Sequence, residues 1–513
     1  MRRLSLLLLI LGFSTSPLLA TCDRDEIAIH GRVRTATGER LPGAIVALRG
    51  SATMTTSAPD GQFELCVEAR RSLVLVATRR GYSAAEHEVD LVTDRSAINL
   101  VMHPTGYFEM VDVTARTQVP ERQPVAGSLH ATSLDILRTA GTYADALRGA
   151  QMMPGVSKVD EGAGLFVRGG DVNETATYLD RALVSHPYRL ETPSGGFFGT
   201  VPPWLISGMS LSTGGFPARY GNALSGVLEL ESLPRPEQRE ILLTAGLAAV
   251  SGRISLPLGD AAGLRFSGNR SQTRTLFELN NVEQEFSTYP AATDFNLGAY
   301  YESDRLGQLD AFAFRQRNEV GVGLETESFQ GLLESQDENN GVSLRWRRTL
   351  ASCCLATLTA SHSDYRQTSA AGRLDIAERE RGSRLRFDLD TRAGEWTLRL
   401  GAEWEETRFR FAGQAPERGG DLAGLEGVRL WQLDFARQRA GAYVELEREF
   451  GRFATNLGFR ADHVSRQGFG FDPRFAITWT PRPGHRFRFA TGIYHQAPEA
   501  QLLDQDFGNP DLE

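Results

Sequence analysis

The sequence predicts a mainly β protein: an N-terminal β-sandwich, an α+β domain and an incomplete antiparallel transmembrane β-barrel of about twelve strands. Short apolar runs separated by turn residues recur at regular spacing through residues 27–102. From about Glu240 onward, apolar and polar residues alternate, with turns between the alternating runs. Because strands place successive side chains on opposite faces, both patterns indicate β-sheets.

Composition narrows the class of protein. A length of 513 residues exceeds one ordinary domain, and a formal net charge of -9 argues against nucleic acid as a main partner. The mean hydropathy is -0.28, and no apolar run of about 18 residues follows the N-terminus. These values argue against a helical membrane protein.

The N-terminus has the pattern of a cleaved secretory signal. Residues 1–20, MRRLSLLLLILGFSTSPLLA, contain two arginines, a short apolar core and a small final residue, Ala20. Export would place the remaining chain in an oxidising compartment. Two alternatives then exist for Cys22 and Cys66: they form a disulfide, or they are free small residues.

Residues 27–102 carry turn signals between their apolar runs. Pro59-Asp60-Gly61 reads as a hairpin turn, and IAIHGRVR and SLVLVAT read as strands of a β-sandwich. The pattern GRV…G…LPGAIVALRG…DGQFEL resembles the carboxypeptidase regulatory-like domain. Members of that family often precede outer-membrane receptors, so the resemblance implies a spacer. Related sandwiches bind starch, and glycan binding is the alternative.

A helix and several glycine-rich strands follow a linker at residues 105–118. Thr142 is the predicted cap of the helix, with Asp145 three residues on. PGV…FVRGG…YLDRALV…GGFPARYGNALSGVLEL resembles the plug domain of TonB-dependent outer-membrane receptors, over residues 119–232. Within the linker, EMVDVTA resembles the TonB box, the segment that couples such receptors to TonB. Its residues are Glu109, Met110, Val111, Asp112, Val113, Thr114 and Ala115.

A plug inside a polar lumen needs a charged surface and backbone that approaches the wall closely. We expect glycines to permit that approach and arginines to pair with acidic wall groups, for which Glu403 and Glu405 are candidates by face. Arg181 stands where the family usually has the glycine of LDG, a departure that weakens the expectation of a tight turn. A soluble α+β domain with ordinary glycine turns is the alternative. The expected docking residues are Arg168, Gly169, Gly170, Asp180, Gly214, Gly215 and Arg219.

Residues 237–513 read as barrel strands, most clearly in EWTLRLGAEWEE. One face carries Trp396, Leu398, Leu400, Ala402 and Trp404, and the other carries Thr397, Arg399, Gly401, Glu403 and Glu405. Eight steps of about 3.3 Å, tilted about 40°, separate the tryptophans by about 20 Å, close to the apolar band of an outer-membrane barrel. Short turns alternate with predicted long polar loops near residues 272–292, 318–340, 363–383 and 412–432.

An exported enzyme is the main competing class. A carboxypeptidase needs zinc ligands, but His87 between Glu86 and Glu88 lacks their spacing, and His362 stands in an isolated HSD triplet. No Ser/His/Asp set is evident. The sequence therefore predicts no enzymatic activity, no metal ligands and no cofactor.

Together the resemblances imply an energised receptor of the outer membrane that takes up a scarce ligand: a ferric siderophore, cobalamin or an oligosaccharide. The implied partners are the TonB protein of the inner membrane, outer-membrane lipid and the small-molecule or oligosaccharide ligand, without nucleic acid. The N-terminal domain would lie in the periplasm. A surface adhesin, a passive outer-membrane barrel and an exported glycan-binding protein are the alternatives.

The chain is also expected to be incomplete. Plugged transporters have about 22 strands, and the alternation supplies only about twelve. The C-terminal GNPDLE is polar and lacks the terminal aromatic residue with which such barrels typically end. A fragment and a truncated gene product both fit this pattern, and each implies an open, curved sheet.

Overall fold

The computed structural model describes residues 26–35, 40–49, 51, 53–68, 72–79, 82, 84–90, 98–102, 128–139, 141–143, 145–158, 162–192, 195–246, 249–279, 285–325, 329–350, 354–417, 421–425, 427–465, 467–482, 485–503 and 509. The predicted signal sequence, Cys22 and the predicted TonB-box residues 109–115 lie outside these ranges. Within the described ranges, no α-helix is both long and apolar enough to cross a membrane.

The described part of residues 26–102 forms a β-sandwich. Its strands are β1 (Glu26–Thr35), β2 (Ile45–Leu48), β3 (Met54–Thr56), β4 (Gln62–Glu68), β5 (Ser72–Thr78), β6 (Ala85–Asp90) and β7 (Ile98–Met102). They pair as two sheets, β4–β1–β7 and β3–β2–β5–β6. Val33, Val46, Leu75 and Met102 are fully buried between the sheets, because alternate strand residues face inward. Gly61 completes the predicted turn, since its φ is +75° and a Cβ there would meet the Val33 carbonyl at 2.6 Å.

Residues 128–232 form a second unit, called here the inner domain. Its elements are β8 (Ser128–Thr132), α1 (Ser133–Arg138), α2 (Ala146–Gln151), β9 (Val156–Ser157), β10 (Phe166–Val167), β11 (Thr175–Leu179), β12 (Ala182–Leu183), β13 (Tyr188–Arg189), β14 (Phe198–Gly199), β15 (Ile206–Ser212) and β16 (Gly226–Ser232). The main sheet has the order β12–β11–β16–β15–β8. Ile136 and Leu147 from the helices share its core with Ile206 and Leu228 from the sheet.

Asp145, not Thr142, caps helix α2, so the predicted cap is wrong. The backbone at Asp145 is extended, and its carboxylate accepts hydrogen bonds from the N–H groups of Leu147 (2.9 Å) and Arg148 (3.0 Å). The Thr142 hydroxyl instead donates to the Ile136 carbonyl at 2.8 Å. Both residue types cap helices well, and only the path of the chain between α1 and α2 selects the aspartate.

The remaining described strands form one antiparallel sheet of thirteen, in chain order. They are β17 (Glu240–Ala245), β18 (Ala249–Leu258), β19 (Ala262–Gln272), β20 (Phe286–Ser303), β21 (Gly307–Glu325), β22 (Gln330–Leu350), β23 (Cys354–Ala371), β24 (Leu374–Ala393), β25 (Trp396–Pro416), β26 (Val428–Phe450), β27 (Phe453–Val464), β28 (Gly468–Arg482) and β29 (His485–Gly492), with helix α3 (Arg274–Leu279) after β19. The predicted fold class, a mainly β chain with a partial barrel, is confirmed.

The strands of this sheet are longer than predicted. β22, β25 and β26 have 21, 21 and 23 residues, about twice the length that crosses a bilayer. The predicted long loops at 318–340 and 363–383 are therefore wrong, since these segments are mostly strand. A strand that projects into water is polar on both faces, so its composition resembles that of a loop.

The two rims of the sheet differ. Residues 259–261, 304–306, 394–395 and 451–452 connect strands at one rim, called here the short-turn rim. The faces also differ: Trp396 and Trp404 are 37% and 43% exposed, whereas Glu405 from the opposite face of β25 is buried. One face is therefore apolar and outward, and the other is polar and covered.

Candidate functional site: the interface between the inner domain and the sheet

The inner domain lies against the polar face of the sheet, and charged and amide side chains join the two. Nη1 of Arg189 lies 2.7 Å from the Asp294 carboxylate, and the Asp294 side chain is fully buried. Asn269 donates to the same carboxylate at 2.8 Å. Two further wall amides donate to inner-domain carbonyls, Gln316 to Thr200 O (2.5 Å) and Asn339 to His186 O (3.2 Å). Polar contacts thus hold the two units together.

The turn after β11 carries two of these contacts. Arg345 bridges Asp180 of the turn and Asp310 of the wall, at 2.8 Å to each carboxylate. Arg181 extends into the wall, with Nη1 3.0 Å from Asp388 and Nη2 3.5 Å from Asp390. The tight turn forms in spite of the arginine: φ is +52° at Asp180 and +70° at Arg181, a left-handed conformation that normally favours glycine.

A loop at residues 216–221 contacts the wall through hydrogen bonds in both directions. Glu445 accepts from the backbone N–H of Arg219 at 2.8 Å and from its guanidinium at 3.4 Å. In the other direction, wall arginines donate to loop carbonyls: Arg386 to Arg219 O (2.8 Å) and Arg474 to Pro217 O (2.7 Å). A Cβ on Gly221 would lie 2.2 Å from Nε of the wall residue Arg460, so this glycine permits close approach.

Glu403 and Glu405 do not contact the predicted plug arginines. Glu403 pairs with the wall residues Arg439 at 2.6 Å and Arg386 at 3.3 Å, and also with Arg460. Glu405 pairs with Arg439 at 3.0 Å. These carboxylates neutralise wall arginines, and two of those arginines, Arg386 and Arg460, also donate to inner-domain carbonyls. Side-chain face could be read from the alternation, but cross-strand neighbours depend on register.

Arg168 and the four predicted docking glycines also differ from expectation. Arg168 is exposed and, among the described residues, has no ion-pair partner. Gly169, Gly214 and Gly215 have positive φ values of 82°, 96° and 62° and thus form turns within the inner domain. A Cβ on Gly170 would lie 1.7 Å from the Ser225 hydroxyl, again within that domain. These glycines shape turns and close approaches within the inner domain.

His186 lies in a buried charged cluster that the sequence analysis did not identify. Its ring stacks on Tyr365 at 3.6 Å between centroids, with Nδ1 2.7 Å from Glu191 and Nε2 3.4 Å from Glu380. Burial lowers the pKa of His186, but the two carboxylates raise it by more, so that it lies well above its usual value. The cluster joins the loop between β12 and β13 to strands β23 and β24 through the His186 ring.

Two known family models match parts of this chain. Residues 260–513 match the TonB dependent receptor-like β-barrel model, and residues 28–103 match the carboxypeptidase regulatory-like domain model. Residues 260–513 belong to the TonB-dependent receptor family. A comparison with curated proteins finds no significant match.

Solved receptors share the fold at low sequence identity. The siderophore receptor PirA of Pseudomonas aeruginosa is 18% identical, with a TM-score of 0.54 over 74% of this chain and 64% of that one. The ferric enterobactin receptor PfeA of the same organism is 16% identical, with a TM-score of 0.56 over 75% and 64%. PirA of Acinetobacter baumannii is 14% identical, with a TM-score of 0.56 over 75% and 63%. The chain thus spans about 64% of the length of these receptors.

The remaining predictions concern the TonB box, the cysteines and the metal ligands. The predicted TonB box, residues 109–115, lies outside the described ranges. Cys66 in β4 is disulfide-bonded, while Cys22 is not among the described residues. Within the described chain, no three His, Cys, Asp or Glu side chains are arranged to hold a metal ion.

Proposed function

We propose that the chain forms part of an energised outer-membrane transporter in which the inner domain acts as the plug. The interface with the wall carries this proposal, through Arg189–Asp294, Arg181–Asp388 and Arg219–Glu445. Charged groups that separate regain hydration, whereas a large apolar interface would stay closed. A plug held by polar contacts can therefore block the lumen at rest and still be remodelled under force.

The outward face supports a place in the outer membrane. Phe450, Phe453, Trp479 and Phe487 form a ladder near the short-turn rim, with successive ring centroids 6.0, 6.2 and 5.5 Å apart. All four side chains are exposed. Aromatic rings of this kind occupy the boundary between lipid and water in transmembrane barrels. We assign the short-turn rim, and with it the sandwich, to the periplasm.

Strand β8 is the element through which force would enter the plug. Among the described strands it lies at the edge of the plug sheet and pairs only with β15, from Ser128 opposite Ser212 to Thr132 opposite Gly208. A pull on the chain before Ser128 would load these pairs successively. We propose that residues 109–115 supply the pulling point by pairing with a strand of the TonB protein, since β-augmentation needs only an extended backbone.

We propose a ferric siderophore as the ligand class, ahead of cobalamin and oligosaccharides. The structures with a similar fold are named as siderophore and ferric enterobactin receptors. The direct test is accumulation of iron-55 as ferric enterobactin in cells that make the receptor, with and without TonB. Uptake should require TonB, while binding at the cell surface should not.

The energy-coupling segment needs a matched pair of variants. Val113→Pro removes a backbone donor and should abolish uptake with surface binding retained, whereas Val113→Ala should preserve both. Uptake that survives a protonophore would instead show a passive barrel. Binding without any uptake would favour an adhesin.

A further inference from the structure

The outer face of the β3–β2–β5–β6 sheet carries apolar side chains beside the ion pair of Arg49 and Glu86. Ala47 lies opposite Met54 on β3 and Val76 on β5, and Ile45 lies opposite Thr56 in the same register. Directly opposed residues share a face, and the intervening residues of β2 and β5 are buried in the sandwich core. These five side chains therefore point out of the sandwich.

This face is turned toward the short-turn rim of the barrel. The hydroxyl oxygens of Thr56 and Thr349 are 3.2 Å apart, and Thr349 is next to the last residue of β22. A Cβ on Gly43 would lie 3.9 Å from the Gln308 side chain at the start of β21. The sandwich is thus seated across the rim near β21 and β22.

Two cavities separate the sandwich from the plug. The larger, about 660 Å³, lies between Ala47, Met54 and Val76 on one side and Arg219 and Glu447 on the other. The smaller has a volume of about 430 Å³. Across these spaces the apolar side chains lie opposite charged groups, and the sandwich contacts the barrel directly only beside them, at Thr56 and Gly43 among the described residues. Such a contact closes an opening and yet separates at low cost.

We propose that the sandwich is a lid over the periplasmic mouth, seated through the outer face of β2, β3 and β5. At rest it covers the underside of the plug, and ligand leaves only after the lid lifts. Calling this mouth an exit rests on the proposed function. The lid itself is tested without ligand or TonB. A failure of the lid proposal can therefore be distinguished from a failure of the proposed transport function.

Disulfide cross-linking tests the contact between the sandwich and the barrel rim. In the full chain with Cys353→Ser and Cys354→Ser, the pair Thr56→Cys and Thr349→Cys should form a disulfide rapidly, because hydroxyls 3.2 Å apart lie within reach of the bond. The control pair, Glu64→Cys with Thr349→Cys, uses the same tether but places its sandwich cysteine on the other sheet. Equal yields from the two pairs would show a freely tumbling sandwich and overturn the proposal.

Cysteine labelling tests whether the sandwich blocks access to the periplasmic mouth. Thr397→Cys lies at the start of β25 and lines the larger cavity, whereas Asp260→Cys lies in an exposed turn that lines neither cavity. A 5-kDa polyethylene glycol maleimide should modify Thr397→Cys at least about tenfold more slowly than Asp260→Cys, with N-ethylmaleimide reacting at both. Adding Thr56→Trp, which places a bulky side chain at the direct contact with Thr349, should unseat the lid and remove most of that difference. A large reagent that reacts equally at both sites, or a difference that Thr56→Trp leaves unchanged, would refute a lid.

Discussion

Nη1 of Arg181 lies 3.0 Å from the carboxylate of Asp388, and this contact explains an arginine in a left-handed turn. A non-glycine residue at positive φ costs about 1 kcal/mol or somewhat more. The Asp388 side chain is fully buried, and it also accepts from Arg386 and Tyr443. With a glycine at position 181, only wall residues would compensate the buried Asp388 carboxylate. Arg181 thus supplies additional positive charge to it.

A double-mutant cycle measures the free energy of interaction between Arg181 and Asp388. Arg181→Gly relieves the strained φ but removes one partner of a buried ion pair, which typically costs about 3–5 kcal/mol. We expect net destabilisation of the inner domain by Arg181→Gly, and less additional loss when Asp388→Asn is already present. Thermal unfolding of the four proteins gives the coupling free energy. A coupling near zero would mean that Arg181 contributes nothing through Asp388.

Glu445 is expected to be the most sensitive single contact of the 216–221 loop. Glu445→Gln keeps the shape but removes the charge that faces Arg219, whose guanidinium would remain largely buried. We expect a loss of about 2–3 kcal/mol in the free energy of unfolding. Glu334→Gln, an exposed position on β22, is the matched control and should change stability little. Similar effects of the two variants would contradict the assignment.

The His186 cluster predicts a pH dependence with a definite sign. A histidine whose pKa is raised on folding stabilises fully below its unfolded pKa of about 6.5, and that contribution is lost as pH rises through the folded pKa. We therefore expect the segment 184–191 to exchange backbone hydrogens faster at alkaline pH than intrinsic rates predict. His186→Gln should remove this excess. An excess that persists in His186→Gln would assign the pH dependence elsewhere.

A lock between β8 and β15 tests the path of force through the plug. His130 and Ser210 are directly opposed, so His130→Cys and Ser210→Cys should form a disulfide between the strands. The oxidised receptor should bind ferric enterobactin at the cell surface but not import it, and reduction should restore import. Each single cysteine variant serves as a control. Import through the oxidised form would show that β8 need not separate from β15.

Local chemistry that depends on neighbours in the chain could be predicted from sequence. The two faces of β25 follow from alternation, and Gly61 follows from the turn it must close. Helix and strand boundaries were harder to predict from sequence. Thr142 and Asp145 are both good helix caps, and strands that project into water have the polarity of loops. His186 gave no signal at all, since a lone histidine acquires its role from Glu380 and Tyr365, which are distant in the chain.

The sequence by itself determined that this protein is a mainly β chain with a sandwich, an inner domain and a partial barrel, because strand periodicity and turn residues act over a few positions. Only the tertiary structure decided which charges meet: Arg219 with Glu445, Arg181 with Asp388, and Glu403 with wall arginines. The physical reason is register. A one-residue shift between strands exchanges every facing pair while leaving the alternation of each strand unchanged.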